Sequence, residues 1–86
     1  MSYYVYLLIS NHKNRLISYV GYTNDIIKRL NSHNLSKGAK FTKGRKWVLI
    51  YSKRYKSKSI AMKEEYKLKK NYKLRSSLKN NYLIKI

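Results

Sequence analysis

The sequence predicts an α+β sandwich: a hairpin plus one further strand, covered by helices, in the order β-β-α-β-α-α. Three observations lead there. Residues 3–9 read YYVYLLI, a β-branched and aromatic run that suits a largely buried strand. A second short apolar run, LISYVG at 16–21, follows the turn residues Asn11-His12-Lys13-Asn14 and reads as its antiparallel hairpin partner. A third, Trp47 to Tyr51, stands alone between two segments with helical spacing.

The first of those helices is started by Thr23-Asn24-Asp25, whose side chains cap free backbone N–H groups. Ile26, Ile27, Leu30 and Leu35 give it an apolar side. Ser36 to Lys46 is polar and basic, holds Gly38 and Gly44, and reads as a loop. Ser57 or Ser59 caps a second helix running to about Lys70, and Ser76-Ser77 starts a short third helix carrying Leu78, Tyr82 and Leu83.

Eighty-six residues make one domain, 1–86, with no repeat, no linker and no proline. The absence of cysteine excludes disulfides, thiolate zinc sites and thiol nucleophiles together. No segment approaches a membrane span, and the N-terminus lacks the pattern of a signal peptide, so a cytoplasmic protein with no membrane partner is expected. No protein partner is evident either.

Charge is the strongest compositional signal. Twenty-one Lys and Arg face three acids, for a net +18. Residues 1–36 carry four basic residues and one acid; residues 37–86 carry seventeen and two. Such a surface attracts polyanions by releasing their counterions. A lysine-rich codon bias explains Lys over Arg but not the scarcity of Asp and Glu. Nucleic acid is therefore the expected partner. Lys37, Lys40, Lys43, Arg45 and Lys46, in the glycine-flanked loop, are its expected phosphate contacts.

Few residues can carry chemistry. Asp25 sits at a helix start, where a capping role accounts for it. With Ala61 at zero on a helical wheel, Leu68 and Tyr72 fall within roughly 20° and Glu65 near 40°. Glu65 therefore lies beside the packed stripe, where an unpaired carboxylate is costly. Pairing with a nearby Lys or Arg would account for it equally well. Glu64, about 100° away, points toward Lys67 as an ordinary surface charge. Arg29 and His33 lie one turn apart and can grip a phosphate and move a proton together, although a solvated face is the commoner meaning of such a pair. Ten tyrosines suit strand packing, and a phenol beside a cation can also accept a proton.

Together these residues resemble the GIY-YIG nuclease family, most closely its small stand-alone URI or UPF0213-type branch. The resemblance rests on Tyr4-Val5-Tyr6-Leu7-Leu8, Tyr19-Val20-Gly21, Arg29 to Asn34, Gly38 to Arg45, and Ala61 to Lys69. It spans Tyr3 to about Leu78. The first motif has Tyr4 in place of its glycine and Val5 in place of its isoleucine.

The resemblance implies a central three-stranded antiparallel sheet flanked by helices. It implies a metal-dependent endonuclease that cuts a phosphodiester, with DNA the favoured substrate. Glu65 would hold one Mg²⁺ or Mn²⁺, Arg29 would contact the scissile phosphate, and Tyr6, Tyr19 and His33 would surround the attacking water. Which of those three is the base stays open. Gly21 would let the backbone pass close to the site. The residue count agrees on one ion, because a two-metal site usually needs several convergent carboxylates. The alternative is a weakly active or inactive nucleic-acid-binding module that keeps the same fold. A basic structural or RNA-associated protein is a third reading, since aromatic-rich sheets can stack bases.

Overall fold

The computed structural model describes residues 2–13, 15–37 and 40–85, without the side chains of His12, Ile84 and Lys85. Strand β1 (Tyr3–His12) pairs antiparallel with β2 (Arg15–Thr23) on one side and with β3 (Val48–Tyr55) on the other, so the sheet order is β2-β1-β3. The element order β-β-α-β-α-α is the expected one, completed by α1 (Ile26–Asn34), α2 (Lys58–Lys70) and α3 (Tyr72–Lys85).

The hairpin is tighter than the run of turn residues suggests. His12 pairs with Arg15, and Asn14 in the turn lies outside the described residues. Cross-strand pairing fixes Tyr6 opposite Gly21 and Leu8 opposite Tyr19. On the β3 side the register shifts between Leu7, opposite Tyr51, and Leu8, opposite Leu49. Ile50 is the extra residue, and β3 runs on to Tyr55, past the predicted end at Tyr51.

Side chains alternate across the sheet and feed two cores. On one face Val5, Leu7 and Val20 pack with Ala61 and Leu68 of α2, and Leu78 of α3 joins them. On the other, Tyr6, Leu8 and Trp47 pack with Ile17, Tyr19, Leu49 and Leu30 of α1. Helices thus cover both faces, and β1 is buried from Val5 to Ser10.

The helix ends follow capping chemistry. The Asp25 carboxylate accepts from the Lys28 amide at 3.1 Å, and the Ser57 hydroxyl accepts from the Ile60 amide at 3.2 Å. The third helix corrects the expectation. It begins at Tyr72, not at Ser76, because Asn71 both closes α2 and caps α3, its side-chain oxygen accepting from the Leu74 amide at 3.0 Å. Asparagine is among the best N-caps, and a single residue can serve two helices that change direction there. Tyr72 therefore leaves the α2 stripe and is 69% exposed.

A second correction concerns α1. Ile26 and Leu30 face the sheet, but Ile27 is 74% exposed and Leu35, past the last turn, is also exposed. The residue that α1 buries is His33. The basic loop contains a 3-10 turn, Lys40–Thr42, and bends again at Gly44, whose φ of 73° suits glycine. Gly38, also expected in this loop, lies outside the described residues. Among the described residues no helix is long and apolar enough to cross a membrane.

Candidate active site

A cleft of about 400 Å³ is lined by Tyr6, Tyr19, Gly21, Arg29 and Glu65, with Tyr3, Tyr22, Thr23, Asn24 and Lys58 completing it. Arg29 comes from the helix on one face of the sheet and Glu65 from the helix on the other. Both line the same cleft, beside Tyr19 and Gly21 of the outer strand β2. Five of the residues singled out in the sequence thus converge on one opening.

Gly21 makes this possible. It faces Tyr6 across the hairpin, and a Cβ on it would overlap the Tyr6 hydroxyl and approach the Tyr19 ring to 3.2 Å. With only a hydrogen there, the Tyr6 phenol lies over the β2 backbone and reaches the cleft. The Tyr6 and Tyr19 rings sit 6.5 Å apart between centroids. The Arg29 guanidinium is held in its charged form, first by its hydrogen bond to Tyr6 and then by its interactions with Tyr6 and Tyr19.

His33 is placed differently from the expectation. It does not line the cleft and is 0% exposed. Its Nε2 lies 2.9 Å from the Tyr6 hydroxyl, and its Nδ1 lies 2.8 Å from Thr42 Oγ1. Burial, then the charge of Arg29, pushes its pKa below the usual histidine value, so the ring is neutral near pH 7. It cannot grip a phosphate beside Arg29; it stands behind Tyr6. Burial raises the Tyr6 pKa, and the hydrogen bond and charge of Arg29 oppose that without overcoming it.

The buried polar row continues beyond His33. Thr42 is fully buried, and its carbonyl accepts from Trp47 Nε1 at 3.0 Å. Asn34 clamps the Trp47 backbone both ways, accepting from its N–H at 2.6 Å and donating to its carbonyl at 3.2 Å. These bonds tie the C-terminal end of α1 to the start of β3.

Glu65 sits where the helical wheel places it, beside Ala61 and Leu68, with its side chain 15% exposed. Lys69, one turn on, donates to its carboxylate at 2.9 Å, and this hydrogen bond is the main reason the Lys69 pKa is raised. Glu64 points the other way and meets Lys67 at 3.6 Å. No group of three or more His, Cys, Asp or Glu side chains among the described residues could hold a metal. A hard cation bound by Glu65 alone, with water and substrate phosphate, remains compatible with this donor set.

Lys37, Lys40, Lys43 and Lys46 are exposed and lie outside the cleft wall. Arg45 is half-buried, its guanidinium 5.4 Å from the Phe41 ring centroid. Sequence reasoning missed Lys58 and Lys69, although their positions i−7 and i+4 from Glu65 put them on its side of the helix. It also missed Thr42, although that residue lies in the Gly38 to Arg45 stretch that carries part of the resemblance.

Comparison with known proteins gives the family. The model of the GIY-YIG catalytic domain matches residues 2–80, and the chain belongs to the GIY-YIG family. Within that family it is similar to UPF0213 proteins. It is 42% identical over 69 residues to one from Bacillus velezensis, a match covering 79% of this chain and 67% of that one. It is 43% identical over 68 residues to another from Oceanobacillus iheyensis, covering 78% and 76% of the two chains. A solution NMR structure of a UPF0213 protein from Bacillus halodurans is 35% identical, with a TM-score of 0.49 over 93% of this chain and 84% of that one.

Proposed function

We propose that the protein is a metal-dependent endonuclease that hydrolyses phosphodiesters in nucleic acid, DNA above all. The observation that carries this reading is the convergence of Tyr6, Tyr19, Arg29 and Glu65 on one cleft of a strongly basic domain. Arg29 suits the scissile phosphate, because a planar guanidinium holds two oxygens at once and stabilises the charge that builds on them. Glu65 would hold one Mg²⁺ or Mn²⁺, which would supply Lewis acidity at the phosphate and bring its bound water.

The proton path follows from the burial of Tyr6. A phenol with a raised pKa is protonated at neutral pH, so it accepts a proton from water only by passing on its own. The neutral His33 ring offers one acceptor. If Nδ1–H donates to Thr42 Oγ1, then Nε2 accepts from the Tyr6 hydroxyl along the 2.9 Å contact. In this reading water gives its proton to Tyr6, Tyr6 gives its proton to His33, and Arg29 steadies the phenol oxygen throughout. Tyr19 positions the water.

One observation favours the alternative of a binding module with little activity: the Glu65 carboxylate is already engaged by Lys69 at 2.9 Å. A single comparison separates the two. Purified protein is incubated with labelled duplex, branched and single-stranded DNA and RNA in Mg²⁺, Mn²⁺ or EDTA, alongside Glu65→Gln and Glu64→Gln. The nuclease reading expects metal-dependent cleavage that Glu65→Gln reduces to background and Glu64→Gln leaves unchanged. Binding without cleavage in any metal would favour the module. Equal effects of the two variants would remove Glu65 from the site.

A further inference from the structure

A second cavity, of about 570 Å³, lies at the hairpin end of the sheet. Its walls include Leu16, Val48 and Leu83, with Tyr82 of α3 at one side and Arg45 and Lys46 at another. Val48 and Leu83 are exposed there, so the floor offers open apolar surface. Arg45 is the unusual member: its Nε and Nη1 are buried and have no hydrogen-bond partner among the described residues. A guanidinium with two unmet donors gains strongly by turning onto an anion with paired oxygens.

A row of packed side chains runs from the cleft to the cavity. Tyr19 lines the cleft; the Phe41 ring stacks 6.3 Å from it; Arg45 lies 5.4 Å from Phe41 and lines the cavity. Along β1, Tyr6 and Ser10 are four residues apart, about 13 Å at the rise of a strand. That spans about four steps of a stacked nucleic-acid strand at 3.4 Å each, and fewer of an extended one. An apolar peptide would leave the unmet donors of Arg45 and the charge of Lys46 unanswered, whereas a phosphate ester carrying a flat base answers both halves of the cavity.

We propose that this cavity takes one unstacked nucleotide of the bound strand, with its phosphate on Arg45 and Lys46 and its base against Tyr82, Val48 and Leu83. The protein then prefers nucleic acid with an unpaired segment a few nucleotides from the cut. This rests on the nucleic-acid reading given above, and its test separates the two.

Fluorescence anisotropy in EDTA compares a blunt duplex with the same duplex carrying a short single-stranded extension, for the wild type, Arg45→Lys and Tyr82→Ala. The wild type should bind the extended duplex about tenfold tighter, the size of effect one stacked base supplies. Both variants should lose that preference, and Tyr82→Ala, which removes no charge, should keep its blunt-duplex affinity. Titrating labelled wild-type protein with a thymidine dinucleotide should shift the backbone amide signals of Asn11, Leu16 and Val48, a readout that needs no variant. Duplex binding with no preference for the extension, or shifts confined to Tyr6 and Tyr19, would overturn the cavity proposal alone. No binding to either DNA would overturn the nucleic-acid reading with it.

Discussion

The two helices that supply the cleft's opposite charges are anchored by different physics. Helix α2 brings Glu65 and is held by apolar burial: Ala61 and Leu68 press into the core of Val5, Leu7 and Val20. Helix α1 brings Arg29 and, besides the packing of Leu30, is held by hydrogen bonds, buried ones from Tyr6 through His33 to Thr42 and part-buried ones from Asn34 to Trp47. Apolar packing is insensitive to pH and tolerant of small shifts. A hydrogen-bonded row is directional, depends on protonation, and fixes the position of Tyr6 more sharply. In the proposed mechanism the wall that handles the proton is the polar one.

Leu68→Ala should break the α2 wall with the largest effect on stability. Removing a fully packed leucine costs about 2–5 kcal/mol, a large share of what so small a domain has. Chemical denaturation should show this loss unchanged between pH 5 and pH 8.

His33→Gln should weaken the α1 wall less and in a pH-dependent way. It disturbs the bonds to the Tyr6 and Thr42 hydroxyls, and each buried polar group left unmet costs about 1–3 kcal/mol. In the wild type the folded-state pKa of His33 lies below its unfolded value of 6.5. The unfolded chain therefore binds more protons between those two values, so stability is full above about pH 6.5 and falls as pH drops through the folded pKa. Tyr6, Tyr19 and Arg29 face the ring. Thermal melts from pH 7.5 to pH 5 should show the decline in the wild type and a flatter profile in the variant. An equal slope in both would mean that the row does not read pH.

Asn71→Ala is the smallest test and the most local. Loss of an N-cap costs about 1 kcal/mol, whereas Ser76→Ala, in the middle of α3, should change stability by less than about 0.5 kcal/mol. Denaturation midpoints would distinguish them. A reversed order would restore the helix start at Ser76.

How much of the site was legible differs residue by residue. Glu65 could be placed from its angle to Ala61 and Leu68, and Glu64 from its angle to Lys67, because a helix wheel needs only sequence separation. Tyr6 and Tyr19 could be placed on neighbouring strands of one hairpin, but their register could not, because the turn is shorter than its run of turn residues suggests. The same reasoning failed for Ile27 and Leu35, where periodicity marks an apolar side without saying how wide the covered strip is. It failed for Tyr72, because a wheel drawn past Lys70 assumes a helix that Asn71 ends.

The local rules of strand alternation, helix angle and cap chemistry were thus enough to determine the order of elements, a hairpin plus one further strand covered by helices, and the face on which Glu65 lies. Tertiary structure alone decided that His33 is buried, because its partners are Tyr6, twenty-seven residues before it, and Thr42, nine after it. It also decided that Arg29 and Glu65, borne by helices on opposite faces of the sheet, share one cleft, and that Gly21 leaves room for the Tyr6 phenol to reach it. Pattern in sequence reports what neighbours within a turn or a strand pair will do, whereas burial and convergence depend on which distant groups arrive at the same place.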